Sequence, residues 1–285
     1  VGYKPTYGLI SRYGLISYSN SIEQIGPLTR TVKDTAFMLN IISGLDPNDN
    51  TTMDNKNEDY LSGIDSGIEG KKIGIIKEMI GDGTDPAVLS ATKNAISKLE
   101  NLGATCEEVS LDMVKYSVAA YYTITATEAG SNLARYDNLR YGYDFSVEGY
   151  EFNSYIAKAR RNFGPEVKRR MIIGGFVPSA GHAGKYFLKA LKVKSKLTRE
   201  INEAFKKFDL LISPTVPILP FKIGEKIDDP VSLFLIDINT VTANLTGKPS
   251  ISVPFTISNG LPIGIQLLAD SMNDKLLLQA AYALE

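Results

Sequence analysis

Apolar positions recur along the chain in two rhythms, and the switches between them mark out its elements. After Thr31, the residues Val32, Ala36, Phe37 and Leu39 to Ile41 repeat at helical spacing. Thr31 with Asp34 three residues on supplies a helix start, and Gly44 a stop. KKIGIIK (71–77) is a short continuous apolar run bounded by lysines, which predicts a buried strand. Asp85-Pro86 opens a helix with proline in its first turn; Leu89, Ile96, Leu99 and Leu102 form its apolar face, and Gly103 ends it. ATCEEVS (104–110) returns as a strand, so the order strand, helix, strand predicts a right-handed βαβ unit in a parallel sheet.

Helical spacing resumes from Lys115 to Arg140, begins again near Pro165, and continues in a basic amphipathic stretch from about Gly184 to Phe208. The lysines of that stretch read as a solvated face, with contact to RNA or a protein partner as the alternative. DLLISPT (209–215) predicts another buried strand, followed by the proline-rich loop VPILP. Asp229-Pro230 opens a further helix closed by Gly247. The tail alternates on either side of Asn259-Gly260, a strong signal for a two-residue hairpin turn. The expected architecture is therefore α/β, a largely parallel sheet made mixed by an antiparallel hairpin. Between Asp46 and Tyr60 the polar run DPNDNTTMDNKNEDY reads as a surface loop; it lacks the glycine and glutamate spacing of a calcium-binding EF-hand. No long repeat and no clear linker divides the 285 residues.

Composition excludes more than it assigns. Lysine plus arginine number 31 against 32 acids, so no net charge draws the chain to nucleic acid or to a membrane, and only a local basic patch is left open. One cysteine, Cys106, rules out an internal disulfide framework, and with one histidine, His182, the usual zinc ligand sets cannot form. No metal is expected. No apolar run reaches the roughly 18–20 residues of a membrane span, and a cytoplasmic protein is expected. The dinucleotide, Walker, serine-hydrolase and zinc-protease signatures are all missing. SAGHAGK (179–185) lacks the first glycine and final hydroxyl of a phosphate loop, and His182 reads as structural.

Five blocks, in order, carry a resemblance: VGYKPTYGLISRYGLISYSNSIEQIGPLTRTVKD, TEAGSNLARYDNLRYG, FGPEVKRRMIIGGF, DLLISPTVP and LTGKPSISVPFTISNGLPIGIQLLA. Together they resemble the amidase signature family across essentially the whole chain. The second and third are most similar to the branch of glutaminase subunits from tRNA-dependent amidotransferases. The resemblance implies a three-layer fold with helices on both faces of the sheet. It also implies that residues 1–285 are the C-terminal part of a single domain whose serine nucleophile, bridging serine and lysine base lie upstream of Val1, so no catalytic residue is expected here. The opening turns then belong to an active-site wall, which Tyr7, Tyr13 and Gln24 line unless they only pack and turn.

The activity implied is glutamine hydrolysis to supply ammonia, with B and C partner subunits and a mischarged Glu-tRNA(Gln) or Asp-tRNA(Asn). ATP and Mg²⁺ would act at the partner. Free glutamine carries a carboxylate and an ammonium at one end, and a clamp for them needs a guanidinium and a carboxylate. By resemblance these are Arg170 and Asp237, with Tyr121 bonding the substrate; the neighbours Arg169 and Tyr122 remain alternatives. Asp237 interrupts the apolar run FLIDI, where an unpaired carboxylate is costly. Another amidase of the family, acting on a small or acyl amide, and a noncatalytic fragment are the competing readings.

Overall fold

The computed structural model describes residues 1–81, 83–142, 145–146, 148–179, 181–222 and 236–285. The predicted helix start at Asp229-Pro230 lies outside them. Two compact units emerge, one from Val1–Gly14, Gln24–Val118 and Lys194–Glu285, the other from Leu15–Glu23 and Ala119–Val193. Two of the boundaries fall inside helices, so no glycine- or proline-rich linker announced them there.

In chain order the elements are β1 (Gly2–Lys4), α1 (Val32–Ile42), β2 (Lys72–Ile76), α2 (Pro86–Asn101), β3 (Thr105–Val109), α3 (Ser117–Leu133), α4 (Phe152–Ala159), α5 (Pro165–Phe176), α6 (Phe187–Ala204), β4 (Leu210–Pro214), α7 (Val241–Thr246), β5 (Ser250–Ser258), β6 (Leu261–Ala269) and α8 (Asp274–Leu284).

The first unit carries a six-stranded mixed sheet in the order β1-β5-β6-β4-β2-β3. Its parallel half is β4-β2-β3, as the βαβ pattern predicted. Its other half is antiparallel: β6 pairs with both β4 and β5, and β1 with β5. Parallel pairing is thus confined to half of the sheet among the described strands, rather than predominating. Asn259 and Gly260 take positive φ (51° and 78°), the backbone of the tight hairpin turn predicted for them.

Strand alternation sorts the sheet into two faces. Ile73, Leu210, Ile212, Ile251, Val253, Ile265 and Leu267 join one apolar core with α1, α2 and α8. Each fully buried side chain there contributes about 1.5–3 kcal/mol of transfer free energy. Residues of opposite parity include the buried polar Ser213, Ser250 and Gln266. Both predicted caps form: the Thr31 side chain accepts from Asp34 N, and that of Asp85 from Ala87 N. The apolar faces are narrower than expected. Phe37 and Ile41 of α1 are exposed, as is Leu102 beyond α2, while Val88, Ala91, Thr92 and Ala95 are buried along with Leu99. The helix predicted to reach Arg140 stops at Leu133, and α4 and α8 were not predicted.

Asp274, at the start of α8, is buried and ties both ends of the chain together. It accepts from Tyr3 Oη (2.6 Å), Thr6 N (3.0 Å) and Thr6 Oγ1 (2.5 Å). Among the described residues no helix is long and apolar enough to cross a membrane.

Candidate functional site

Arg170 and Tyr121 lie on α5 and α3 of the second unit; Asp237 belongs to the first. Helix α5 starts at Pro165 with Glu166 in its first turn, where a carboxylate suits the helix dipole. Spacings of three and four residues then place Arg169 and Arg170 on that carboxylate, one turn further along. Arg170 Nε donates to Glu166 Oε1 at 2.7 Å, and Arg169 Nη2 meets Oε2 at 2.6 Å. Arg170 Nη1 also donates to the Tyr18 hydroxyl, and its guanidinium carbon lies 5.4 Å from the Tyr18 ring centroid. Partial burial pushes the Glu166 carboxyl up, but the bonds and charge of Arg170 and Arg169 outweigh it and hold the group below its ordinary range. Partial burial likewise works against the Arg170 cation, yet Glu166 and Tyr18 raise its pKa further.

Tyr18 is itself held by α3. Glu128 Oε2 accepts from Ser19 Oγ (2.8 Å) and Ser21 N (3.0 Å), and Asn132 Nδ2 donates to the Tyr18 carbonyl (3.0 Å). Glu128 and Asn132 both stand in the block TEAGSNLARYD, which gives that block a structural task. Helices α3 and α5 meet backbone to backbone. A Cβ on Gly174 would stand 2.0 Å from Ala126 O, and one on Gly130 3.2 Å from Gly174 Cα. Only glycine permits that approach. Tyr121 and Tyr122 meet edge to face with ring centroids 5.2 Å apart, and both are half-buried.

Asp237 sits in a 3₁₀ turn, Ile236–Asn239, and is half-exposed. Its carbonyl accepts from Thr240 N (2.9 Å) and Thr240 Oγ1 (3.0 Å). The turn is pinned to the polar side of the sheet by buried Asn239. Asn239 Nδ2 donates to Pro214 O at 3.0 Å, and Gln266 Nε2 donates to Asn239 O at 2.9 Å and to Ser213 Oγ at 3.1 Å. Sequence reading passed over Glu166, Tyr18, Asn239 and Gln266. Of these, Glu166 carried a signal, an acid three and four residues before paired arginines.

Gln24 uses both ends of its amide on the backbone, accepting from Gly8 N (2.8 Å) and donating to Ile10 O (3.1 Å), so it shapes the opening turns. Tyr7 packs under the Arg12 guanidinium at 5.0 Å, and Tyr13 is exposed. His182 lies 4.3 Å from the Phe176 ring, with Nδ1 3.3 Å from Ser179 Oγ, a packing and turn role. No group of His, Cys, Asp and Glu among the described residues is arranged to hold a metal ion.

The family model for amidase matches residues 1–278. The chain belongs to the amidase family. Over its full length it is 66% identical to the A subunit of glutamyl-tRNA(Gln) amidotransferase from Cenarchaeum symbiosum (strain A) and 48% identical to that from Methanosarcina mazei, covering 59% and 60% of those proteins. Among solved structures it matches the A subunit of glutamyl-tRNA(Gln) amidotransferase from Thermotoga maritima with a TM-score of 0.80 and 42% identity, over 99% of this chain and 57% of that one. The chain thus spans about three-fifths of the length of the relatives it matches, and the α/β fold is the amidase-signature fold.

Proposed function

We propose that this chain is the C-terminal part of an amidase-signature domain in the glutaminase subunit of a tRNA-dependent amidotransferase. The observation that carries the reading is 66% identity, end to end, with a subunit of that name. In this reading glutamine is hydrolysed through an acyl-enzyme by a serine, a bridging serine and a lysine base in the segment preceding Val1. Ammonia then passes to a partner subunit that activates mischarged tRNA with ATP and Mg²⁺. B and C subunits complete a cytoplasmic complex.

The residues present would hold the amino-acid end of glutamine. Glu166 and Tyr18 occupy Nε and Nη1 of Arg170, and its Nη2 has no hydrogen-bond partner among the described residues, leaving that edge to the substrate α-carboxylate. Asp237 would take the α-ammonium, and Tyr121 would bond the substrate through its hydroxyl. Fixing both charges orients the side-chain amide towards the nucleophile and rejects amides that lack them, whose binding would leave the charged groups unpaired.

The test is amidation of Glu-tRNA(Gln) by the full-length gene product with its B and C partners, driven by glutamine or by ammonium. Glutamine-driven amidation with release of glutamate supports the reading. A product that cleaves aryl or acyl amides and leaves glutamine intact would favour another amidase of the family.

A further inference from the structure

Cations are distributed unevenly along this nearly neutral chain. Residues 158–199 hold twelve lysines and arginines and one acid, Glu166. Part of this excess faces a single groove within the second unit. Its walls are Tyr150, Lys158, Arg160 and Arg161 on one side and Lys168, Met171 and Ile172 on the other, with Phe163 in the turn between α4 and α5. Among the described residues no acid lines it, and its volume is about 1050 Å³.

We propose that this groove binds the phosphate backbone of a single-stranded RNA segment. Three observations support that occupant. First, the groove is braced before any ligand arrives. Lys168 Nζ donates to Arg161 O at 2.6 Å across the turn, and Arg160 Nη2 donates to Ala134 O at 2.8 Å. Arg160 Nε is buried without a hydrogen-bond partner among the described residues. Arg161 is exposed, with no ion-pair partner among the described residues.

Second, cations alternate with flat rings. Lys158 Nζ stands 4.3 Å from the Tyr150 ring centroid and 4.7 Å from that of Phe145, holding Tyr150 half-exposed at the rim. Cations on phosphates with aromatic faces for bases are the two components of single-strand recognition. An acidic peptide would use the cations but has no use for the rings. Third, at about 1050 Å³ the groove is as large as the largest small-molecule pockets, which leaves room for more than one compact anion. The inference does not depend on glutamine being the substrate.

The test is fluorescence anisotropy of the full-length gene product with a labelled single-stranded RNA of about a dozen nucleotides, across a salt series. Binding should weaken with salt, the logarithmic slope falling by about 0.7 for each phosphate contact removed. Arg161→Glu with Lys168→Glu should lower affinity at least tenfold and reduce the slope, whereas Arg161→Lys with Lys168→Arg should retain binding. Lys33→Glu, a charge change on exposed α1 outside the groove, should leave it within about twofold. Tyr150→Ala should weaken RNA binding several-fold without changing the slope. The proposal is overturned if the charge reversal leaves affinity unchanged, if Lys33→Glu costs as much, or if polyglutamate competes as well as unlabelled RNA.

Discussion

Glu166 holds Arg170 from one turn earlier on the same helix, Oε1 to Nε at 2.7 Å, while its other oxygen takes Arg169. The pair fixes which edge of the Arg170 guanidinium faces away from α5. Because both side chains are partly exposed, solvent screens the charge term and the contact is worth at most about 1 kcal/mol. On the proposed function, Glu166→Gln in the full-length protein with its proposed partners should therefore raise KM for glutamine up to about fivefold and leave ammonium-driven amidation unchanged. An unchanged KM would mean that Tyr18 alone positions the guanidinium.

The crossing of α3 and α5 predicts a contrast between adjacent glycines. Gly174→Ala would place its Cβ 2.0 Å from Ala126 O, and Gly175→Ala would meet nothing within 4 Å. The first should destabilise the protein by about 1–3 kcal/mol or more, because a backbone must move. The second should be neutral or stabilising by up to about 1 kcal/mol through helix propensity. Chemical denaturation of the two variants reads the difference directly, and equal effects would refute the close crossing.

Both glycines lie in one stretch of sequence, IIGGF, with nothing to tell them apart. That marks the limit of what the chain discloses. Signals that act within a few residues could be read: the Thr31 and Asp85 caps, the Asn259-Gly260 turn and the βαβ order of β2, α2 and β3. Features that depend on distant partners could not. Strand β1 exists because Gly2–Lys4 pairs with Ser250–Ser252, and Asp274 is buried because Tyr3 and Thr6 donate to it. At the candidate site, resemblance supplied Arg170, Asp237 and Tyr121. It did not supply Tyr18, which reaches Arg170 across 152 positions, or Asn239, which pins the Asp237 turn to β4.

Asp274 is itself testable. Truncation to alanine removes the acceptor for Tyr3 Oη, Thr6 N and Thr6 Oγ1 at a site 1% exposed. Each buried donor left unmatched costs about 1–3 kcal/mol. Asp274→Ala should lower the melting temperature by many degrees, and Asp274→Asn, which keeps one carbonyl oxygen, should lower it less. Equal melting of all three proteins would show that the two chain ends are not joined through this residue.

Acid stability should report on the loop after α1. Asp49 accepts from Arg12 N (2.8 Å), Thr51 N (2.9 Å) and Thr51 Oγ1 (2.7 Å). The backbone bond from Arg12 is the largest cause of its low pKa, about 2 against an ordinary 3.8. The folded value lies below the unfolded one, so the stabilisation is complete above about pH 4 and is lost as pH falls towards 2. Asp49→Asn should flatten that part of the stability curve while leaving its shape above about pH 5 intact. An identical acid limb in mutant and parent would remove Asp49 from the account.

The amino-acid clamp makes the sharpest demand on the functional reading. Arg170→Ala and Asp237→Ala would each leave one charge of bound glutamine without its partner. By analogy with buried interfacial charge pairs that costs about 2–5 kcal/mol, a loss of roughly 30- to 4,000-fold in kcat/KM for glutamine. Arg169→Ala, whose guanidinium shares Glu166, should cost far less if Arg170 is the ligand, and the reverse order would move the role to Arg169. Tyr121→Phe and Tyr122→Phe separate the two tyrosines in the same way, since only the substrate-bonding hydroxyl should register. Ammonium-driven amidation bypasses the glutamine site and should survive every one of these changes. Its survival matters because a misfolded subunit would lose both activities together. If Arg170→Ala and Asp237→Ala both used glutamine within a few-fold of the parent, neither residue would be a substrate ligand, and an uncharged amide would become the better candidate.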